Sequence, residues 1–369
     1  TAAALCDLTG NGLPDILLSG DSTSDEVVWY ENPGDLEGQW TRHVAFATGN
    51  PGFSDMVLAD NLLGDGRRCL LVVNQTENGS RVLCAPLPAD AASPWADPMV
   101  LADGLMDENA ECGISAPSTG LAVGDLDGDG VEEYIVFAQG NSANPLQVLI
   151  FRQEEDGTCR LMEVIQSNGS AFEQVEYVQM DNAPGYELVV GRQLSDQVLR
   201  SVSVYSFSSG SAEQLMMVGY SKFITCDLND DGCSELMVIL PGESETGTGS
   251  AVLYRMQDGN IERSVEVNVS ENASHIRRIT EGRLLGGTPA VFVASAMNNS
   301  AIVTDVFAWR NDRFSNISYS RDSDTSVQTL RNYYVYAEDI DGDGVMELPS
   351  LITMKRISPE HEEKQKFLI

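Results

Sequence analysis

One nine-residue pattern, returning four times, limits what this chain can fold into more than any other feature. It reads Asp7-Leu-Thr-Gly-Asn-Gly-Leu-Pro-Asp15, then Asp125-Leu-Asp-Gly-Asp-Gly-Val-Glu-Glu133. It returns as Asp227-Leu-Asn-Asp-Asp-Gly-Cys-Ser-Glu235 and Asp339-Ile-Asp-Gly-Asp-Gly-Val-Met-Glu347. The shared form is D-x-[DNT]-x-[DN]-G-x-x-[DE]. Copies lie roughly 100 to 120 residues apart, about twice the length of a propeller blade. Degraded copies fill the gaps: Asn61-Leu-Leu-Gly-Asp65-Gly66 before Leu70-Leu-Val-Val, Met180-Asp-Asn-Ala-Pro-Gly185-Tyr-Glu187 before Leu188-Val-Val, and Glu281-Gly-Arg-Leu-Leu-Gly-Gly287 before Ala290-Val-Phe-Val. Counted together they make seven units of roughly 46 to 64 residues.

Each unit holds four short runs rich in Val, Ile, Leu and Tyr, separated by Gly, Asn, Asp and Ser turns. In the third they are Gly120–Gly124, Tyr134–Ala138, Leu146–Phe151 and Leu161–Ile165; in the fifth, Lys222–Cys226, Leu236–Leu240, Ala251–Met256 and Ser264–Val269. No stretch shows helical periodicity. An open sheet of so many strands is unmanageable, whereas radial packing of small sheets removes the edge problem. The expected fold is therefore all-β: a single β-propeller domain over 1–369, with seven four-stranded blades starting near 1, 55, 119, 174, 221, 275 and 333. The last blade is expected to be incomplete in this chain, since the residues after Glu347 suffice only for a second strand and part of a third. Two long connections, Ala102–Thr119 and Ser318–Asn332, are where a rigid ring would carry ligand contacts.

The repeated loop has the chemistry of a hard-cation site. Side chains at positions 1, 3, 5 and 9 and a main-chain oxygen at position 7 are what Ca²⁺ takes, and Gly at position 6 permits the sharp turn. The candidate ligands are Asp125, Asp127, Asp129, Val131 and Glu133; Asp227, Asn229, Asp231, Cys233 and Glu235; Asp339, Asp341, Asp343, Val345 and Glu347; and Asp7, Thr9, Asn11, Leu13 and Asp15. Val131, Cys233, Val345 and Leu13 would serve through their carbonyls. Carboxylate count orders the expected Ca²⁺ affinity: the Asp125 and Asp339 loops strongest, the Asp227 loop next, the Asp7 loop weakest. The three degraded loops should bind nothing. Position 12 is Leu18, Val136, Val238 or Ser350, not the Glu of an EF-hand, and the flanks are β-type.

Composition narrows the function classes. With 22 Lys and Arg against 56 Asp and Glu, the net charge of −34 excludes the electrostatic footprint of a nucleic-acid binder and disfavours acidic substrates. No apolar run reaches the roughly 18 residues of a membrane helix. The chain starts at Thr1 without Met, as a mature exported product or an excised fragment would. Seven cysteines include no CxxC; buried thiols are expected, with a Cys84–Cys112 bridge left open. Sequons stand at Asn74, Asn168, Asn268 and Asn316. Three scattered histidines (His43, His275, His361) and the absence of G-x-S-x-G, H-E-x-x-H or a phosphate loop leave an enzyme weakly supported.

The loop D-x-D-G-D-G-x-x-E followed by a β-run resembles the FG-GAP/VCBS repeat, the blade unit of integrin-α-like propellers. Val27-Val-Trp-Tyr-Glu-Asn-Pro-Gly34 and Trp40-Thr-Arg-His-Val44 resemble the signature of exported VCBS-type proteins, and 119–369 resembles lipoprotein-type relatives of Gram-positive bacteria. The resemblance implies a seven-bladed propeller with Ca²⁺ in some inter-strand loops and an extracellular or cell-surface setting. The expected role is a non-catalytic binding or adhesion module for an unknown protein or glycan, a monomeric domain of a larger protein. The alternatives are a propeller enzyme acting on polysaccharide, such as a lyase, and a structural spacer. Trp29, Trp40, Trp95 and Trp309 are either glycan platforms or blade-packing core.

Overall fold

The computed structural model describes residues 2–20, 23–35, 37–76, 79–103, 118–138, 146–154, 159–167, 171–194, 199–242, 248–269, 273–297, 302–318, 331–332, 336–347, 350–353 and 365–368. The two long connections of the sequence analysis fall almost wholly outside them. The fold is all-β, of the β-propeller class, built from successive four-stranded antiparallel sheets. Among the described residues no helix is long and apolar enough to cross a membrane.

The first sheet is β1 (Ala3–Cys6), β2 (Asp15–Ser19), β3 (Glu26–Glu31) and β4 (Thr41–Ala47). The second is β5 (Phe53–Ala59), β6 (Cys69–Thr76), β7 (Gly79–Pro86) and β8 (Met99–Ala102). The third is β9 (Ser118–Gly124), β10 (Glu133–Ala138), β11 (Leu146–Gln153) and β12 (Cys159–Ser167). The fourth is β13 (Ala171–Val178), β14 (Glu187–Leu194), β15 (Leu199–Ser206) and β16 (Glu213–Gly219). The fifth is β17 (Lys222–Cys226), β18 (Glu235–Pro241), β19 (Thr248–Gln257) and β20 (Asn260–Arg263). The sixth is β21 (Ala273–Arg283), β22 (Pro289–Met297), β23 (Ile302–Arg310) and β24 (Arg313–Asn316), with β25 (Arg331–Asn332) added against β23. A separate two-stranded sheet pairs β26 (Ser350–Thr353) with β27 (Gln365–Leu368). In every four-stranded sheet the strands are hydrogen-bonded in sequence order, so each is a simple meander. The chain forms two compact units, one of 1–177 with 183–215 and one of 178–182 with 216–369.

The central strands explain the unbroken apolar runs. Leu70 and Val72 of β6 face one core, shared with Leu17, Val27 and Trp29 of the first sheet. Leu71 and Val73 face the opposite core, shared with Tyr134 and Val136 of β10. Ile135, the alternate residue of β10, packs with Val148, Leu188 and Val190. In the second unit Met237, Ile239 and Leu253 of the fifth sheet pack on Val291, Val293 and Phe307 of the sixth. A strand covered on both faces loses the polar alternation of a one-sided sheet. Each fully buried Leu or Val contributes roughly 1.5–3 kcal/mol.

One strand departs from expectation. The fourth strand of the fifth sheet is Asn260–Arg263, not Ser264–Val269. Asp258 and Gly259 both adopt positive φ (51° and 73°), making a two-residue hairpin turn that starts the return strand at once. Of the later segment, Val267 retains a bridge to Ala251.

Candidate metal centres

The acidic loops share one local geometry, and the Asp339 loop is closed by a bridge between Glu338 and Glu347. Three of them join the first and second strands of a sheet, and position 9 is the first residue of the second strand: Asp15 in β2, Glu133 in β10, Glu235 in β18. Position 2 is an apolar plug, buried as Leu8, Leu126 and Leu228 but half exposed as Ile340. The position-9 carboxylate, buried in Asp15, Glu133 and Glu235 and half-buried in Glu347, reaches back and accepts the N–H of position 2: Leu8 to Asp15 at 2.9 Å, Leu126 to Glu133 at 2.9 Å, Leu228 to Glu235 at 2.8 Å, Ile340 to Glu347 at 2.8 Å.

The position-1 carboxylate organises the bend. Asp125 accepts the N–H groups of Gly128, Asp129 and Gly130 at 2.7, 3.2 and 2.8 Å. Asp7 does the same with Gly10, Asn11 and Gly12, and Asp227 with Asp230, Asp231 and Gly232. Asp339 accepts from Gly342 and Gly344. Position 5 caps position 7: Asn11 accepts the Leu13 N–H, Asp129 that of Val131, Asp231 that of Cys233 and Asp343 that of Val345. The backbone turns left-handed twice, at positions 6 and 4. Position 6 has φ of 83°, 87°, 89° and 84° at Gly12, Gly130, Gly232 and Gly344. Position 4 has a Gly in three loops and Asp230 (φ 66°) in the fourth.

The degraded second loop separates bend from ligand. Asn61 accepts the Gly66 N–H at 2.6 Å and Asp65 that of Arg67 at 3.0 Å, so positions 1 and 5 keep their backbone duties. Positions 3 and 9 are Leu63 and Cys69, which supply no oxygen. The repeat therefore carries two messages: positions 1, 2, 5 and 6 shape a turn, while acids at positions 3 and 9 turn it toward a cation.

Carboxylate oxygens of Asp125, Asp127 and Glu133 converge to within 4.8 Å of one another, and those of Asp339, Asp341 and Glu347 do likewise. Asp129 and Asp343 stand outside these groups. Glu133 is fully buried, and its Oε1 accepts no hydrogen bond. Burial, with Asp127 and Asp125 nearby, pushes its carboxyl up to about 7. An all-oxygen donor set around an unsatisfied buried carboxylate oxygen suits a hard divalent ion. The Asp125 group also holds a cation of its own, Arg152. Its Nη1 lies 2.7 Å from Asp127, its Nη2 pairs with Asp129, and its Nε is 3.6 Å from Glu133 Oε1. Arg152 follows Phe151, the partner of Tyr134, and so stands directly across the sheet from Glu133.

The Asp227 loop brings its acids together less tightly. Position 3 is Asn229, whose Nδ2 donates to Asp231 at 2.8 Å. Glu235 is also pushed up to about 7, chiefly by burial. Arg255 faces it across β19 as Arg152 faces Glu133, yet its guanidinium bonds Glu262 at 2.8 Å and lies 5.4 Å over the Trp309 ring. A cavity of about 240 Å³ remains, lined by Asp231, Cys233, Glu235 and Arg255. In the Asp7 loop, Asp15 spends both oxygens on backbone, accepting from Leu8 and from Asn32 at 2.9 Å. The amides around Asp7 hold its carboxyl below the usual range.

Other sequence candidates resolve into structure. Trp29 is fully buried and stacks on His43 at 4.2 Å, while His43 Nε2 lies 3.2 Å from Glu31. Trp95 is core, Trp309 lies under Arg255, and Trp40 is exposed. The Asn74 amide is buried and donates to the Asn50 and Gly52 carbonyls, so that sequon is a packing residue. Cys84 is a free buried thiol; Cys112, Asn168 and His361 lie outside the described residues.

No family model and no curated protein matches the chain. Among solved structures it is similar to a rhamnogalacturonan lyase from Bacillus licheniformis, at 13% identity and TM-score 0.42, over 76% of this chain and 57% of that one. It is similar to a Lactobacillus plantarum protein at 12% identity and TM-score 0.45, over 81% of this chain and 79% of that one. The rhamnogalacturonan lyase YesW matches at 14% identity and TM-score 0.40, again over 76% and 57%. The chain thus spans little more than half the length of either lyase. Likeness this distant transfers no chemistry.

Proposed function

We propose that this chain is a calcium-stapled β-propeller of the FG-GAP/VCBS kind, a non-catalytic module that works outside the cytoplasm and presents its loops to a protein or glycan. The observation that carries the reading is the convergence of Asp125, Asp127 and Glu133 around a buried, unsatisfied oxygen; Asp339, Asp341 and Glu347 converge as closely in a more exposed loop. These six residues would hold the ions. Bound Ca²⁺ supplies positive charge that offsets the crowded carboxylates. The chain supplies the rest: Asp125 and Asp339 fix the bend, and Glu133 and Glu347 tie it back to the position-2 amides.

Such a staple suits surroundings rich in calcium, because sites in extracellular modules bind at roughly 10⁻⁴ to 10⁻³ M. A net charge of −34 disfavours acidic polymers as the ligand. His43 stacks on Trp29 and lies against Glu31. The test is thermal melting in Ca²⁺ and in EGTA. A ligand held only by the folded state at a hundred times its Kd stabilises by about 2.7 kcal/mol, so the melting temperature should rise clearly with calcium. Identical melts, together with no heat of Ca²⁺ binding, would overturn the proposal.

A further inference from the structure

We infer that Arg152 is a built-in competitor for the divalent ion at the Asp125 loop, so that this loop exchanges an arginine-latched form for an ion-bound one. The inference rests on the calcium reading above and concerns what sets affinity at that site.

The charge centre of the loop is already filled. One guanidinium contacts three carboxylates at once, Asp127, Asp129 and Glu133. Two of these belong to the converging group of Asp125, Asp127 and Glu133. A planar fork with several fixed donors suits such a cluster better than a lysine would. Arg152 and a divalent ion therefore want the same oxygens, and the ion enters only when the side chain swings out. Four of every five parts of the Arg152 side chain are already covered (20% exposed), so the latch is held by packing as well as charge.

The fifth sheet supplies the internal comparison. Arg255 stands at the same register opposite Glu235, but Glu262 and the Trp309 ring hold its guanidinium aside. Its loop keeps a cavity beside Asp231 and Glu235 where the third-sheet loop has a guanidinium. One register position thus gives a latch in one sheet and an open loop in another. A site whose competent form is a minor population binds with its affinity reduced by that fraction. The Asp125 loop, one of the two with four ligand-position carboxylates, then binds calcium more weakly than its acid count alone implies.

The test is calorimetric titration of the full chain with CaCl₂. Glu235→Gln and Asp341→Asn are introduced first, weakening the other acidic loops while an amide oxygen can still accept the backbone N–H. In that background Arg152→Ala should tighten Ca²⁺ binding about tenfold, and Arg152→Lys should fall between the two. In EGTA, Arg152→Ala should melt below Arg255→Ala, since three acids lose their cation. Unchanged or weaker binding in Arg152→Ala, beside normal binding in its parent, would overturn the latch and leave the calcium staple standing. No binding by parent or variant up to about 10 mM would overturn both. Should Arg152→Ala fail to fold in EGTA, Arg152→Gln carries the same comparison, and equal affinity there overturns the latch.

Discussion

The Asp125 and Asp227 loops are drawn to one plan and end in different electrostatic states. Both bend around a position-1 aspartate that accepts three successive amides. Both bury a leucine at position 2 and a glutamate at position 9. Both place an arginine across the sheet from that glutamate. In one the arginine joins the acids; in the other it leaves them for Glu262 and Trp309. The nine-residue motif therefore determines shape. Whether the shape neutralises itself or waits for an ion depends on residues outside the motif.

That separation can be broken at several levels. The largest effect should come from the shared scaffold. Leu126→Ala and Leu228→Ala each empty a buried plug (3% and 1% exposed) and should cost about 2–5 kcal/mol in chemical denaturation, by similar amounts with and without calcium. A markedly calcium-dependent loss in either would mean that shape and ion binding are not separable.

Position 3 should matter next, chiefly for the ion. Asn229→Asp adds the missing acid to the fifth-sheet loop, and Asp127→Asn removes one from the third. The first should gain and the second lose about tenfold in Ca²⁺ affinity, near 1.4 kcal/mol each, while denaturation in EGTA changes far less.

Acidity gives a third contrast, with a definite sign. Glu133 and Glu235 both titrate near 7 in the folded chain, above the ordinary glutamate value of 4.5. The folded state then holds more protons than the unfolded one between those values. Without calcium, the stability owed to these groups is fully present below about pH 4.5 and is lost as pH rises through about 7. Melting between pH 5 and 8 should show a shallower decline in Glu133→Gln than in the parent. An equal decline in both would remove Glu133 from the account.

The smallest effect should be Arg255→Ala. Its pair with Glu262 is surface-exposed and contributes a few tenths of a kcal/mol to about 1 kcal/mol, and calcium binding at the Asp227 loop should barely move. A large gain in affinity there would make the fifth-sheet arginine a latch too.

Much of this was legible in the chain. Gly130 and its equivalents announced the turn, and the double-sided runs such as Leu70-Leu-Val-Val announced buried strands. Two things were not. The capping duty of position 5 is not legible: one oxygen of Asp129 accepts the Val131 amide, as Asn11 accepts that of Leu13, whatever the other oxygen offers an ion. Arg152 lies 19 residues beyond Glu133 and meets it only through strand register, which no local spacing reveals. The early start of the fifth sheet's fourth strand, by contrast, is written in the Asp258-Gly259 dipeptide, whose two positive-φ residues make a two-residue hairpin.

The bends also lean on one another within the first unit. Arg68 donates to the Asp7 carbonyl, Asn61 to the Gly130 carbonyl, and the Tyr186 amide to the Asp125 carbonyl. Gly185 approaches so closely that a Cβ there would sit 2.7 Å from the Leu126 oxygen. Like roof tiles, the hairpins overlap, each resting on the one beside it. A tug on one tile is passed along the row, and lengthening any single bend by one residue would disturb its neighbour's seat as much as its own.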